Sequence, residues 1–468
     1  MDLTARYYRR YAAARLRVLI FISIACLLFP MSIAASLVAI PTISAELQVG
    51  AVLASWIPAS YMLSSLVFQL PGGRMADLFG LKRSFLISNL VFTTGGLVAA
   101  FAPNIETLLL GRIIQGAAGA VVVSTGMAIL SRVHESKGRA QALGWMTSAV
   151  YFGMTAGPLI GGWLVDQLSW RAVFLVPVPI GFIVLYGVKR VLHGEWISDE
   201  QHSVDWRGAV IFALAMTALF IGVTNLAEIM GVLLFASGGV LLLLFVRWSG
   251  RAANPLVRLD LLIQNTRFIR SVTAALFMYG SQYGIVLMMA LYLQYNRGLS
   301  ATEAGQLMML QALMMTLCAP IAGRLADRLG RRILATTGSL AISSGLLFLT
   351  QMSDQMPLWM IGFGIMIIGF GHGLFSTPNN ASALSAIPPS RIGIGSAIVS
   401  LARQSGQLIG TAIISLLLAI YFGGNAITPE LADTFEQVAQ FALYASLVLA
   451  LAAAWFSWKR DPVEASGD

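Results

Sequence analysis

The sequence is poor in charged residues and has almost no cysteine. Only 11% of its 468 residues are charged and only 21 are acidic, whereas about 25% of the residues in a soluble domain are charged. These shortages exclude a soluble enzyme, a nucleic-acid-binding protein and a disordered scaffold. Cys26 and Cys318, the two cysteines, both lie in apolar runs, which excludes a disulfide framework and a thiolate metal site.

Motifs for other chemistry are also missing from the sequence. It contains no Gly-x-x-x-x-Gly-Lys-Ser/Thr motif, so the chain alone is not expected to use ATP. It shows no His, Cys and carboxylate cluster for a metal and no nucleophile paired with a base. We therefore expect no enzymatic activity, no cofactor and no metal.

Long apolar runs dominate what is present, since 57% of the residues are hydrophobic. A membrane-spanning helix needs about 20 mostly apolar residues, and the runs between charged or Pro/Gly-rich breaks predict fourteen such helices. The first, near Phe21–Ile40, is followed by further spans, so it is predicted to be a helix rather than a cleaved signal. The sequence thus predicts an all-α polytopic protein in a lipid bilayer.

The basic residues predict the orientation in the membrane. All but four of the 30 Lys and Arg residues lie in the N-terminal segment, the even-numbered loops or the C-terminal segment. The exceptions are Arg112 and Arg403 inside predicted helices, and Arg171 and Arg297 in odd-numbered loops. By the positive-inside rule both termini are predicted to be cytoplasmic. The net charge of +9 is therefore a topology signal and does not indicate a nucleic-acid partner.

The segment after the second predicted helix recurs 250 residues later. Residues 72–83 read GGRMADLFGLKR and residues 322–332 read AGRLADRLGRR, so Gly, Arg, Ala, Asp and Gly recur in register. Such a repeat predicts a duplicated six-helix unit. The predicted division is an N-terminal six-helix bundle at 1–192, two inserted helices at 193–250 and a C-terminal six-helix bundle at 251–468.

We interpret this repeated inter-helix loop as a candidate conformational latch. Asp77 lies at the membrane boundary, where it could accept hydrogen bonds from a helix N-terminus or pair with an arginine. The alternative is a solvated interfacial loop. The candidate latch residues are Gly73, Arg74, Asp77, Gly80, Lys82, Arg83, Gly323, Asp327 and Arg331.

A second pattern lies in the fifth predicted helix. Gly153, Gly157 and Gly161 are spaced by four and form a smooth stripe that permits close helix contact, and Gly162 follows. Pro158 removes a backbone hydrogen bond and bends the helix. A bent helix of this kind between the two six-helix bundles could close one end of a substrate pathway. The alternative is ordinary tight helix packing, which gives the same pattern.

Polar side chains inside the predicted helices are the candidates for the cavity and for coupling. Inserting a central Arg costs about 2.5–3.5 kcal/mol, so Arg112 is a functional candidate that could bind an anion, pair with an acid or modulate a proton carrier; a purely structural role is the alternative. His372 could be protonated near neutral pH or simply be hydrogen-bonded. The cavity and coupling candidates are Ser32, Arg112, Gln115, His372, Asn379, Asn380 and Arg403. The candidate cavity aromatics are Tyr61, Trp145, Tyr151, Tyr279 and Tyr283.

These motifs together resemble the major facilitator superfamily. The repeated loop is similar to its signature Gly-x-x-x-Asp-x-x-Gly-[Arg/Lys]-[Arg/Lys], with Leu81 where a basic residue is usual. Residues 112–120 and 153–162 resemble two further elements of the family. Residues 170–174 and 403–410 resemble elements of its fourteen-helix drug:proton antiporter branch. The resemblance implies a bacterial inner-membrane transporter of two six-helix bundles plus two central helices, and its fifth-helix motif is associated with exporters.

The first helix departs from that branch. Its members commonly carry an acidic residue nine positions before a proline, and the corresponding residue here, nine before Pro41, is Ser32. Because a serine does not exchange protons near neutral pH, we expect either weak proton coupling or coupling through His372 or Asp77. Arg112 would also lack its most obvious counter-ion, which favours an anionic group as its ligand.

The sequence therefore predicts a monomeric secondary transporter that exports hydrophobic or amphipathic small molecules by alternating access, of the multidrug-efflux kind and with protons as the candidate coupling ion. One alternative is a dedicated carrier of a metabolite, siderophore-like compound or lipid, anionic and only weakly proton-coupled. The other is a membrane receptor or scaffold that does not transport.

Overall fold

The computed structural model describes residues 12–134, 136–197, 204–226, 228–252, 255–256, 265–353, 355–387, 392–422 and 432–460. Within these ranges the secondary structure consists of fifteen helices without strands. They are α1 Ala12–Leu47, α2 Ala51–Phe79, α3 Leu81–Ala100, α4 Ile105–Val133, α5 Ser136–Gln167, α6 Trp170–Leu175, α7 Pro177–Val191, α8 Trp206–Thr224, α9 Ile229–Ser249, α10 Thr266–Tyr295, α11 Ala301–Leu329, α12 Arg331–Leu349, α13 Leu358–Ser385, α14 Ile392–Phe422 and α15 Ala432–Trp458.

The predicted number of spans is confirmed. The described part of the chain contains fourteen segments long and apolar enough to cross a membrane, with α6 and α7 together forming one of them. Fourteen described spans place the start of α1 and the end of α15 on one side. We call the side of Ala12 and Trp458 the terminal side, and the side of Leu47 and Phe422 the far side.

The packing produces two helical bundles. In the first, α1 lies against α5, and α4 lies against both α2 and α3. In the second, α10 lies against α14 and α15, and α13 lies against α11 and α12. These are the two six-helix bundles expected from the repeat.

The two inserted helices form a hairpin at one side of the bundles. Asp205 caps the start of α8 by accepting a hydrogen bond from the Gly208 backbone N–H at 2.9 Å, and its Oδ1 also accepts one from Trp248 Nε1 of α9 at 2.9 Å. Helix α8 packs against both α2 and α14, and Phe220 meets Trp56 of α2 edge to face with ring centroids 4.9 Å apart. The insert therefore covers the line where the two bundles meet along α2 and α14.

The repeated segment differs from the loop expected from the sequence. Helix α2 continues to Phe79 and α3 begins at Leu81, so the connection is Gly80 alone, and Gly330 alone joins α11 to α12. Their φ angles are 101° and 89°, a backbone conformation that glycine adopts without steric cost. Each donates its N–H to the alanine carbonyl four residues earlier. Most of the expected loop is helical because a single glycine suffices to reverse the chain.

Candidate functional site

Small residues bring the two bundles together on the far side, along α5 and α11. A Cβ built on Gly162 would lie 2.3 Å from the backbone oxygen of Ala301, and one built on Gly305 would lie 2.3 Å from that of Pro158. Asp166 Oδ2 accepts a hydrogen bond from the Thr302 backbone N–H at 2.8 Å. We call this contact the α5–α11 seam; it needs glycine because the two backbones touch.

The glycine stripe predicted in α5 faces a different neighbour. Cβ atoms on Gly153 and Gly161 would lie 2.5 Å from the Leu27 carbonyl oxygen and 2.7 Å from Ala35 Cα, both on α1. The stripe therefore packs inside the first bundle. Within this pattern, Pro158 and Gly162 are the residues that meet the second bundle.

A second contact between the bundles, the α2–α14 seam, is polar. Ser55 Oγ and Ser415 Oγ are 2.7 Å apart. Nearer the terminal side, Gln69 Nε2 donates to Ser400 Oγ at 2.7 Å. These serines carry no signal in the sequence, because small polar residues are common in membrane helices and only the fold pairs them.

On the terminal side the faces of α5 and α11 are separated. The seam runs as far as the hydroxyls of Thr155 and Thr316, which are 3.4 Å apart. On the same faces, closer to the terminal side, Ser148 and Gly144 of α5 and Pro320 of α11 are exposed. Along α5 and α11 the bundles are thus joined on the far side and exposed toward the terminal side, whereas the α2–α14 seam continues to Gln69 and Ser400.

Arg112 lies at the centre of the first bundle and is fully buried. Its Nη1 donates to Ser32 Oγ at 3.1 Å and to Gln115 Oε1 at 3.0 Å. Its Nη2 donates to Ser36 Oγ at 3.3 Å, and its Nε donates to the Ile57 carbonyl oxygen at 3.3 Å. Three of the predicted candidates therefore come together, and the sequence analysis missed Ser36, one helical turn after Ser32.

Aromatic rings surround the same guanidinium. Its Cζ lies 4.2 Å from the ring centroid of Tyr61 and 5.6 Å from that of Phe174. Tyr61 shares a buried cluster with Tyr283 of the second bundle. Within the described residues Arg112 makes no ion pair. Its positive charge is stabilised by the hydroxyl, amide and carbonyl oxygens that accept its hydrogen bonds and by the neighbouring aromatic rings.

The second bundle contains a separate group of candidates. The rings of His372 and Tyr279 meet edge to face at 5.1 Å, and Arg403 Cζ lies 5.9 Å from the Tyr279 centroid. His372 is fully buried, and neither ring nitrogen has a hydrogen-bond partner among the described residues. Arg403 Nη2 donates to Ser400 Oγ at 3.3 Å, which links it to the α2–α14 seam.

All but one of the remaining candidates lie apart from these two groups. Asn379 is buried and accepts a hydrogen bond from Arg460 just after α15, a partner that sequence analysis did not consider, while Asn380 is half-buried. On α5, Trp145 is 62% exposed. Tyr151 is half-buried and, unlike the others, lies close enough to Tyr279 of the second group to interact with it electrostatically.

The first copy of the repeated turn is held by an acid that sequence analysis missed. Glu195 accepts hydrogen bonds from the backbone N–H groups of Lys82 and Arg83 at 2.8 and 3.2 Å. A carboxylate at a helix N-terminus is favourable because it meets unsatisfied N–H groups. The second copy differs, since Arg331 donates to the Ala381 carbonyl of α13 at 3.2 Å. Asp77 and Asp327 lie outside the residues whose side chains are described, and the latch stays a prediction.

Asp77→Asn is expected to impair transport severalfold while leaving expression and membrane insertion intact, because it removes an interfacial charge and no core volume. Asp327→Asn, the matched change in the second copy, is expected to be milder if the first turn dominates. The measurement is transport per folded protein for both variants and the parent. Normal transport by the Asp77→Asn protein would eliminate the latch.

The family of the protein follows from its similarity to known protein families. A model of the Major Facilitator Superfamily matches residues 20–258 and 271–467. The chain belongs to the Major Facilitator Superfamily. It is accordingly a multi-pass membrane transporter of a small-molecule substrate and not an enzyme.

Individual proteins resemble the chain over most of its length. The multidrug resistance protein Stp of Mycobacterium tuberculosis (strain CDC 1551 / Oshkosh) is 29% identical over 88% of this chain and 77% of its own. The riboflavin transporter RibZ of Clostridioides difficile (strain 630) is 27% identical over 82% and 83%. A solved bacterial homologue of the human lysosomal transporter Spinster, inward-facing and unoccupied, has a TM-score of 0.70 at 16% identity, over 96% of this chain and 97% of its own. That structure supports the fold alone.

Proposed function

We propose that this transporter exports hydrophobic or amphipathic small molecules by alternating access, as a multidrug-efflux protein. The observation that carries the proposal is the α5–α11 seam, which joins the bundles on the far side while the residues on the same faces become exposed toward the terminal side. A ligand entering from the terminal side would meet an apolar centre with few polar groups, which suits amphipathic compounds. The relative named for multidrug resistance supports the same substrate class.

The proposed cycle moves the two bundles as units. Residues 1–192 and 251–468 would rock against each other, and the insert at 193–250 would stay against α2 and α14. The basic residues on the terminal side favour a cytoplasmic position for both termini, with the protein as a monomer in the plasma (inner) membrane. In that orientation the described conformation accepts ligand from the cytoplasm.

A dedicated metabolite carrier is the second candidate. It is favoured by Arg112, which has no described carboxylate partner and could hold an anionic or strongly polar group, and by the relative named as a riboflavin transporter. Such a carrier would accept one metabolite and reject lipophilic dyes.

We further propose that protons drive this transporter only weakly, or through His372 or Asp77. Ser32, which contacts Arg112, occupies the position at which the fourteen-helix antiporters commonly have an acidic residue. A serine hydroxyl does not bind and release a proton near neutral pH. His372 is a buried imidazole close to the second bundle's tyrosine and arginine, which makes it the alternative proton carrier.

The test is flux in proteoliposomes of the purified protein, with a lipophilic cationic dye and with riboflavin as the two probes. Each is measured with and without an imposed pH gradient, and with a protonophore. We expect dye flux well above that of protein-free liposomes and only a weak response to the gradient. Where a response is seen, we expect it to fall in His372→Gln or Asp77→Asn.

The outcomes separate the alternatives. Riboflavin flux without dye flux would replace multidrug export by the dedicated carrier. Absence of flux with both probes would contradict the proposed substrate class. Strong gradient-driven accumulation that survives both substitutions would place the proton carrier elsewhere.

A further inference from the structure

Two apolar grooves occupy equivalent places on the outer surface of the two bundles. The first, of about 380 Å³, lies between α3 and α7 and is lined in part by Ile87, Leu90 and Tyr186. The second, of about 400 Å³, lies between α12 and α15, and its lining includes Thr337 and Leu340. An offset of 250 residues, the offset of the internal repeat, relates Ile87 to Thr337 and Leu90 to Leu340.

The α12–α15 groove is an exposed apolar surface with a basic rim at its terminal-side end. Leu340, Leu451, Trp455 and Trp458 are all between 46% and 58% exposed, and as parts of membrane-spanning helices they face the bilayer. Tryptophan is enriched where the bilayer core meets the headgroups. The two tryptophans therefore place this end of the groove at headgroup level.

Two cations are held in place on these tryptophans. Arg332 Cζ lies 4.2 Å from the ring centroid of Trp458, and Lys459 Nζ lies 4.7 Å from that of Trp455. Neither cation makes an ion pair with any described residue. Arg332 Nε is buried and has no hydrogen-bond acceptor among the described groups. Among the described residues, the rim thus presents two positive charges without a counter-ion.

The equivalent rim of the first groove is different. There Glu195 accepts the backbone N–H groups of Lys82 and Arg83, and its Oε2 lies 3.9 Å from Arg83 Nε. Glu195 thus compensates the charge of Arg83 at that end. The first groove also has Lys189 in its lining and Arg190 Cζ 5.3 Å from the Tyr186 ring centroid. Only the second groove, however, has two cations stacked on tryptophan and no acid at its rim among the described residues.

We propose that the α12–α15 groove binds one anionic phospholipid from the leaflet on the terminal side. An acyl chain lies along the apolar groove, and the headgroup phosphate accepts charge-assisted hydrogen bonds from Arg332 and Lys459. Aromatic stacking pre-orients both cations, which lowers the ordering cost of binding.

The test is native mass spectrometry of the delipidated full-length protein, titrated with phosphatidylglycerol or with phosphatidylcholine of the same acyl chains. We expect one phosphatidylglycerol to bind more tightly than phosphatidylcholine. The double variant Arg332→Gln/Lys459→Gln is expected to weaken that binding about 25-fold, because each surface cation contributes about fivefold. Glycerol 3-phosphate, which carries the phosphate without acyl chains, is expected not to compete.

Two further variants distinguish a loss of the lipid site from a general effect on folding. Arg247→Gln removes an exposed charge from the last turn of α9 and is expected to leave binding unchanged. Thr337→Trp fills the groove without touching either cation and is expected to abolish the preferred site. Equal binding of the two phospholipids, or undiminished phosphatidylglycerol binding in a monodisperse double variant, would overturn the proposal.

Discussion

Arg112→Ala is expected to reduce transport by about 100-fold or more per folded protein. The substitution leaves the oxygens of Ser32, Ser36 and Gln115 without their donor in the middle of a membrane bundle. Each buried group left unpaired costs about 1–3 kcal/mol, and about 1.4 kcal/mol corresponds to a factor of ten. The measurement is dye flux in proteoliposomes, normalised to monodisperse protein.

Arg112→Lys distinguishes charge from hydrogen-bond geometry. The guanidinium donates from Nε, Nη1 and Nη2 to four acceptors, and a single ammonium cannot reach that set. We therefore expect the Lys variant to lose nearly as much transport as the Ala variant. A Lys variant close to wild type would mean that only the charge matters.

Arg403→Lys is the matched control for this position. Arg403 lies in the second bundle, is half-buried, and has fewer described partners: it donates to Ser400 Oγ at 3.3 Å and also contacts Tyr279. A Lys ammonium has three donors and can serve these two partners, so transport should fall little. Equal losses at both positions would indicate a general intolerance of Arg-to-Lys changes, and wild-type flux in Arg112→Ala would make that arginine structural at most.

The sequence was sufficient to predict the fold. Apolar run length gave the number of helices, because the bilayer core fixes how many residues a span needs. The repeat located both copies of the tight turn, since Gly80 and Gly330 reverse the chain with nearly the same φ. It did not predict that a single glycine makes the turn, because helical segments that leave the membrane lose the apolar signal on which the boundaries were based.

The candidate site was predicted less completely. An arginine inside an apolar run is conspicuous, and Arg112 with Ser32 and Gln115 was identified on that basis. Ser36 and the Ser55–Ser415 pair were missed. A serine costs little free energy in a membrane helix and forms no recognisable sequence pattern, so its importance becomes visible only through its hydrogen-bond partner. Glu195 was missed because it lies more than 100 residues from the turn that it caps.

The glycines of the α5–α11 seam give the second large prediction. Gly162→Val is expected to abolish transport by preventing closure of the far side, since a Cβ at Gly162 would lie 2.3 Å from the backbone oxygen of Ala301. Overpacking of this kind costs about 1–3 kcal/mol, enough to shift a two-state equilibrium about 5- to 150-fold. Gly144→Val is the matched control on the same helix, because a Cβ there meets nothing within 4 Å.

Disulfide cross-linking at the α2–α14 seam can report whether the far side is open or closed. In a background lacking Cys26 and Cys318, Ser55→Cys and Ser415→Cys place two thiols where the hydroxyls are 2.7 Å apart. We expect rapid disulfide formation in this protein and in its Gly144→Val derivative, and a much lower yield with Gly162→Val. The yield falls because bundles that move as units open both seams together. Normal cross-linking with normal flux in Gly162→Val would show that the α5–α11 seam accommodates a side chain and does not gate the far side.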